Sequence, residues 1–229
     1  IGLLLKGKAE LKQAAQAFRK VEELGRFDGP LNLARAQFAE GDLDGATESL
    51  SRAATMNPPP PTWTHSWLSG MVNRQQGNLE AAADSFRAVL DTKVPDRGFD
   101  FSLDYRVRNQ LGLTLIDLAQ RAEVMGDDAK FRKLVGEAEM QLQKVLETDS
   151  ENVTAHANLA EVYAWIGNTE KEQTHRRLHK KYKPDDNAAE IARPAARRKY
   201  PAANHAAESL VIYDLQRTSS ETLAKNKNE

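Results

Sequence analysis

One short pattern recurs along the chain and fixes most of what it can fold into: an apolar stretch, a glycine, a small acid or amide, and another stretch of helix-forming residues. It reads Glu40-Gly41-Asp42-Leu43, Gln76-Gly77-Asn78-Leu79 and Trp165-Ile166-Gly167-Asn168. Glycine ends a helix because it enters the left-handed conformation without a Cβ penalty. Asp or Asn then offers a side-chain oxygen to the free amides of the next helix. Each occurrence predicts a tight helix–turn–helix hinge, and a series of them predicts stacked helix pairs.

The flanking residues keep the same order. In Gly70, Gly77, Ala82, Phe86, Leu90 and Pro95 the small residues fall where two helices would cross closely, and Phe86 and Leu90 share a face. The preceding unit, Ala34, Gly41, Ala46, Leu50, Ala53 and Pro58, repeats those intervals. The last unit reads Asn158-Leu159-Ala160, Tyr163 and Gly167, followed by a basic helix ending at Pro184. This succession resembles the tetratricopeptide repeat, a helix pair of about 34 residues. The join Leu146–Ala160 carries the resemblance most specifically, and a second join at Lys183-Pro184-Asp185-Asp186-Asn187 follows it at the family period, with Pro184 34 residues after Ser150.

The resemblance implies an all-α fold, a right-handed superhelical solenoid of antiparallel helix pairs. Composition agrees with it: Ala, Leu, Glu, Gln, Lys and Arg dominate, and aromatics make up only 7%. No apolar run approaches the roughly 18–20 residues needed to span a bilayer, so no membrane insertion is expected. Cysteine is absent, which removes disulfides, thiolate metal sites and Cys nucleophiles.

Departures from the period predict where the array is irregular. Ala34 to Gly70 is two residues over, absorbed in Pro58–Pro61, and Gly70 to Gly112 is eight over, absorbed near Asp96–Phe101. Gly112 to Ala160 is fourteen over, about two turns in each of two helices around a hinge at Gly126-Asp127-Asp128. One elongated hairpin, roughly Asp104–Met125 and Asp128–Glu147, should therefore project. The array is expected over 1–184, in about four to five pairs with the first incomplete. C-terminal capping helices are expected over 185–217, interrupted at Pro194, and a disordered tail over 218–229. The opening Ile1-Gly2-Leu3-Leu4-Leu5 reads as the middle of a helix in a longer protein, with any targeting segment upstream of Ile1. Either a cytoplasmic or an exported location suits a soluble chain of this kind. Tyr200–Arg217 is faintly similar to segments attached to repeats in bacterial multihaem cytochrome proteins.

In the family the first helix of each pair lines a concave groove that holds a peptide or a partner's helix. The resemblance places Asp28, Leu31, Arg35 and Phe38 there from one repeat, and Thr64, Trp67, Met71 and Arg74 from the next. Arg106, Asn109, Leu113 and Ile116 come from the third, and Thr154, Ala157, Glu161 and Trp165 from the fourth. The expected partner-binding set is Arg35, Phe38, Trp67, Met71, Arg74, Arg106, Asn109, Glu161 and Trp165. The three arginines suit carboxylates and Asn109 a backbone amide. Trp67 and Trp165 have an alternative use, packing against a neighbouring repeat.

Net charge is −1, yet Lys171–Tyr200 holds ten Lys/Arg against four Asp/Glu. Its patch Arg176, Arg177, Lys180 and Lys181 reads as a solvated face or a dock for an acidic partner. Nucleic acid is disfavoured because stacking aromatics are not interleaved. His175 and His179 have metal-ligand spacing, but the surrounding positive charge opposes a cation, and no metal or other cofactor is expected. No nucleophile elbow, phosphate-binding glycine loop or paired acidic motif is present, so no catalytic residue is assigned. The expected function is a non-catalytic interaction scaffold for a protein or peptide, or for further copies of itself. The alternatives are a structural arm of a larger multidomain bacterial protein and nucleic-acid binding through 171–199.

Overall fold

The structure, a computed structural model, describes residues 8–183 and 198–199. Apart from Arg198 and Lys199, the expected capping helices and tail lie outside the described residues, as do Ile1–Leu5 and the cytochrome-like stretch. The chain divides into two compact units, Ile1–Lys183 and Pro184–Glu229, and the helices named here belong to the first. They are α1 (Lys8–Glu23), α2 (Asp28–Glu40), α3 (Leu43–Ala54), α4 (Thr62–Gln76), α5 (Leu79–Leu90), α6 (Tyr105–Val124), α7 (Asp128–Thr148), α8 (Val153–Trp165) and α9 (Thr169–Tyr182). They pack as successive pairs into an all-α solenoid, α2 on α3, α4 on α5, α6 on α7 and α8 on α9.

The hinges take the form the sequence predicts. Gly41, Gly77, Gly126 and Gly167 all have φ between 72° and 82°. At each, the residue after the glycine donates its backbone N–H five residues back: Asp42 to Gln37, Asn78 to Asn73, Asp127 to Ala122 and Asn168 to Tyr163, at 2.8–2.9 Å. These bonds satisfy carbonyls that the finished helix leaves open. Asp42, Asp127 and Asn168 also cap the next helix through a side-chain oxygen. Asn78 differs: its side chain caps nothing, and its amide turns back to Gln76 Oε1 at 3.4 Å.

Small residues set how closely the helices of a pair approach. A Cβ on Gly70 would lie 2.6 Å from the ring of Phe86, and one on Gly112 2.9 Å from Leu142. Phe86 and Leu142 are fully buried, as are the small residues Ala34, Ala46, Ala82 and Ala138. The largest apolar cluster runs from α5 through α8, a second joins α2, α3 and α4, and a third joins α1 to α2 through Phe18 and Leu33.

The irregular spacings also have structural counterparts. The elongated hairpin is α6 and α7, of 20 and 21 residues against 12–15 for α2 to α5. Its tip leaves Val124 and Met125 largely exposed. The excess between α5 and α6 folds into a small insertion rather than an open loop. Strands β1 (Lys93–Val94) and β2 (Phe99–Asp100) pair antiparallel around a 3-10 turn, and a second 3-10 turn spans Phe101–Leu103. Arg108 fastens the insertion by donating to Ser102 O and to Gln141 Oε1.

Ion pairs and hydrogen bonds across neighbouring repeats separate two layers. Arg74 on α4 meets Asp117 on α6 at 2.8 Å, and Gln120 on α6 donates to Glu161 on α8 at 3.3 Å. On the other layer, Arg52 of α3 meets Glu22 of α1, and Arg87 of α5 meets Glu137 of α7. First helices thus face first helices, and second helices face second helices.

Candidate partner-binding groove

Helices α2, α4, α6 and α8 form the layer on which the sequence places a binding surface, and among its clefts one brings aromatic rings and arginines together. Its volume is about 250 Å³. Arg35 comes from α2, Trp63, Thr64 and Trp67 from α4, Val89 from α5, Phe101 from the insertion, and Asp104, Arg106 and Val107 from the start of α6. Trp63 stacks on Phe101 with ring centres 5.6 Å apart and planes 26° apart. Trp67 leans on Phe86 at 5.7 Å, so the close approach of Gly70 to Phe86 also positions this wall. Asp104 is occupied as the cap of α6, accepting from the N–H groups of Arg106 and Val107.

Three members of the expected set, Arg35, Trp67 and Arg106, are brought together here. The others serve the array itself. Phe38 is half-buried against the α2–α4 cluster, and Met71 against the α5–α8 cluster. Arg74 is engaged by Asp117 and Glu161 by Gln120, while Trp165 packs on Phe131 of α7 at 5.9 Å. Asn109 is buried at 8% exposure, and its amide donates to Asn152 Oδ1 at 3.1 Å. Leu31 and Ile116, expected on the surface, are buried in the core. Trp63 and Phe101 were not expected at all. Trp63 lies one turn before Trp67 on the same helix, a legible signal, whereas Phe101 belongs to the insertion and has no repeat register.

A family model for the tetratricopeptide repeat matches residues 31–97, from α2 through the first half of the insertion. The hinges and helix pairs beyond that segment keep the same architecture. Residues 31–97 match the tetratricopeptide repeat.

Solved structures similar to this chain share its fold. A crystal structure of MamA superposes with a TM-score of 0.58 at 16% identity, covering 76% of this chain and 89% of that one. A second MamA structure covers 90% of both chains at 14% identity and a TM-score of 0.57. YrrB, described as a TPR protein with an unusual peptide-binding site, gives a TM-score of 0.59 at 19% identity, covering 81% of this chain and 84% of that one. No curated protein matches the sequence.

The remaining candidate residues lie on α9. Arg176, Arg177, Lys180 and Lys181 are all exposed, with Arg176 bonded to Glu172 at 2.8 Å and the Lys181 ammonium over the Tyr182 ring. His175 and His179 do not converge. His179 Nδ1 meets Val153 O at 3.1 Å, while His175 Nδ1 lies 2.9 Å from His156 Nδ1. His156 Nε2 faces Ser150 O at 3.0 Å and so must carry a proton. In its neutral form His156 then accepts at Nδ1 from His175. His175 also stacks on Tyr163, and burial, with His156 and Lys171 nearby, holds its pKa below the ordinary 6.5. Among the described residues no group of three His, Cys, Asp or Glu could hold a metal, and no helix is long and apolar enough to cross a membrane.

Proposed function

We propose that this protein is a non-catalytic interaction scaffold that holds a peptide or helix of a partner protein on the layer formed by α2, α4, α6 and α8. The observation that carries the reading is the cleft between α2, α4 and α6, where Trp63, Trp67 and Phe101 meet Arg35 and Arg106. Aromatic rings and arginines at one place provide large apolar contact and directed hydrogen bonds, the composition enriched at interaction hot spots. Partner contacts spread over four successive first helices would let one extended segment engage several repeats. The peptide-binding site named for the YrrB fold relative supports the same use of this architecture.

Photo-crosslinking tests the reading directly. A random peptide pool carrying a photoreactive phenylalanine is selected on the whole chain, irradiated and digested. Adducts concentrated on α2, α4, α6 and α8 are expected. Adducts confined to α3, α5, α7 and α9 would remove the first-helix layer as the binding surface.

A further inference from the structure

We propose that the cleft is a pocket for one large apolar side chain of the partner, aromatic or aliphatic, from a segment that carries a carboxylate at the adjacent position. This names the chemistry of the partner and rests on the groove reading above.

Capacity argues for a single side chain. At about 250 Å³ the cleft is smaller than the roughly 300–1,000 Å³ typical of small-molecule sites. Its walls are apolar on three sides: the Trp63–Phe101 stack, the Trp67 face, and Val89 with Val107, which are 2% and 3% exposed. An aromatic wall of this kind could also suit a cation. The charges at its rim decide against that. Arg35 and Arg106 flank the opening from two different repeats, and neither has a carboxylate within ion-pair distance among the described residues. Arg35 reaches only Asn32 Oδ1 at 3.4 Å, and Arg106 lies over the Tyr105 ring. Arg26, Arg52, Arg74, Arg87 and Arg176, by contrast, each have a carboxylate partner. Asp104, the acid of the cleft, accepts the N–H groups of Arg106 and Val107 as the cap of α6 and keeps its charge, which offsets one of the two arginines. Two guanidiniums against one carboxylate leave the edge of an apolar pocket net positive, which favours an anionic neighbour to the buried side chain and opposes a cationic one.

The pocket is not a generic product of the repeat. Phe101 belongs to the insertion between α5 and α6, held by Arg108 and by a bond from its own N–H to Thr92 O. That insertion is the element that closes one side of the cleft, so it sets which side chain fits.

Three tryptophans make the test internally controlled, since Trp63 and Trp67 line the cleft while Trp165 packs on Phe131 elsewhere. The full chain with nitrogen-15-labelled indoles is titrated with acetylated hexapeptides Gly-Ser-Phe-Xaa-Ser-Gly in which Xaa is Glu, Gln or Lys. Shifts of the Trp63 and Trp67 indole signals with Trp165 unmoved are expected. The Glu peptide should bind about tenfold more tightly than the Lys peptide, and R35Q with R106Q should abolish that ratio. Phe101→Ala should weaken all three peptides alike.

A Lys peptide that binds as well as the Glu peptide overturns the proposal, and so does a preference that survives the double arginine variant. Either result leaves the groove reading standing, because the cleft tryptophans still report occupancy. No shift of Trp63 or Trp67 with the Glu peptide up to about 1 mM also overturns it. The crosslinking map then decides the groove independently.

Discussion

The ring of Phe86 fills the space into which a side chain at Gly70 would grow, with Cε1 2.6 Å from where the Cβ would be. That contact fixes the approach of α5 to α4 and, through the tilt of Trp67 on Phe86, the wall of the cleft.

Replacing Gly70 with Ala sets two effects against each other. Helix propensity favours Ala by about 1 kcal/mol, while overpacking a fully buried ring costs about 1–3 kcal/mol. The clash should win, with a net loss of up to about 2 kcal/mol in urea unfolding. In a Phe86→Leu background the penalty should disappear. An equal penalty in both backgrounds would place its cause elsewhere.

Gly136 on α7 supplies the opposite case, because a Cβ there meets nothing within 4 Å. Gly136→Ala should stabilise the protein by about 0.5–1 kcal/mol through propensity alone, read as a higher thermal midpoint by circular dichroism.

Acid should loosen the packing of α9 on α8. His175 is held below its ordinary pKa of 6.5 by burial first, then by His156 and Lys171. Its immediate surroundings also include Tyr163, whose hydroxyl donates to Glu139, and Lys171, 3.8 Å from that same carboxylate. Below 6.5 the unfolded chain therefore takes up the His175 proton more readily than the folded one. This contribution to stability is complete above 6.5 and is lost as pH falls toward the folded pKa. Urea midpoints measured from pH 7.5 to 5 should decline, and His175→Gln should flatten the decline. A variant with the parent slope would assign the dependence to other groups.

Arg87 bridges Asp84 on its own helix and Glu137 on α7. A double-mutant cycle of Arg87→Ala and Glu137→Ala should give a coupling of about 0.5–1 kcal/mol, because the arginine remains partly in water. High salt should shrink it. A coupling near zero would leave apolar packing as the main tie between α5 and α7.

The hinges and the long hairpin were legible because both depend on local chemistry or simple counting. A left-handed glycine followed by a cap residue has few alternatives, and fourteen extra residues around Gly126 must lengthen two helices or open a loop. The groove was less legible. Helical spacing identifies a face, but not how much of it the next repeat covers, so Leu31, Ile116 and Asn109 went into the core while Arg35 and Arg106 stayed accessible. Arg74 and Glu161 looked free in sequence because their partners lie 43 and 41 residues away in another repeat. Phe101 was hidden for a different reason: strand pairing and 3-10 turns over so short a stretch leave no periodic trace.

The α6–α7 hairpin is longer than its neighbours, and its far turns meet the hinge of the pair before it, where Arg121 donates to Gly77 O at 3.0 Å and Lys130 meets Glu80 at 3.4 Å. Beyond those contacts the tip at Val124 and Met125 is largely exposed, while α6 packs on α5 and α7 on α8 along the rest of the pair. Trimming this one rung would therefore cost the α4–α5 hinge its outer brace, whereas turns added beyond Met125 would change only what the rung reaches.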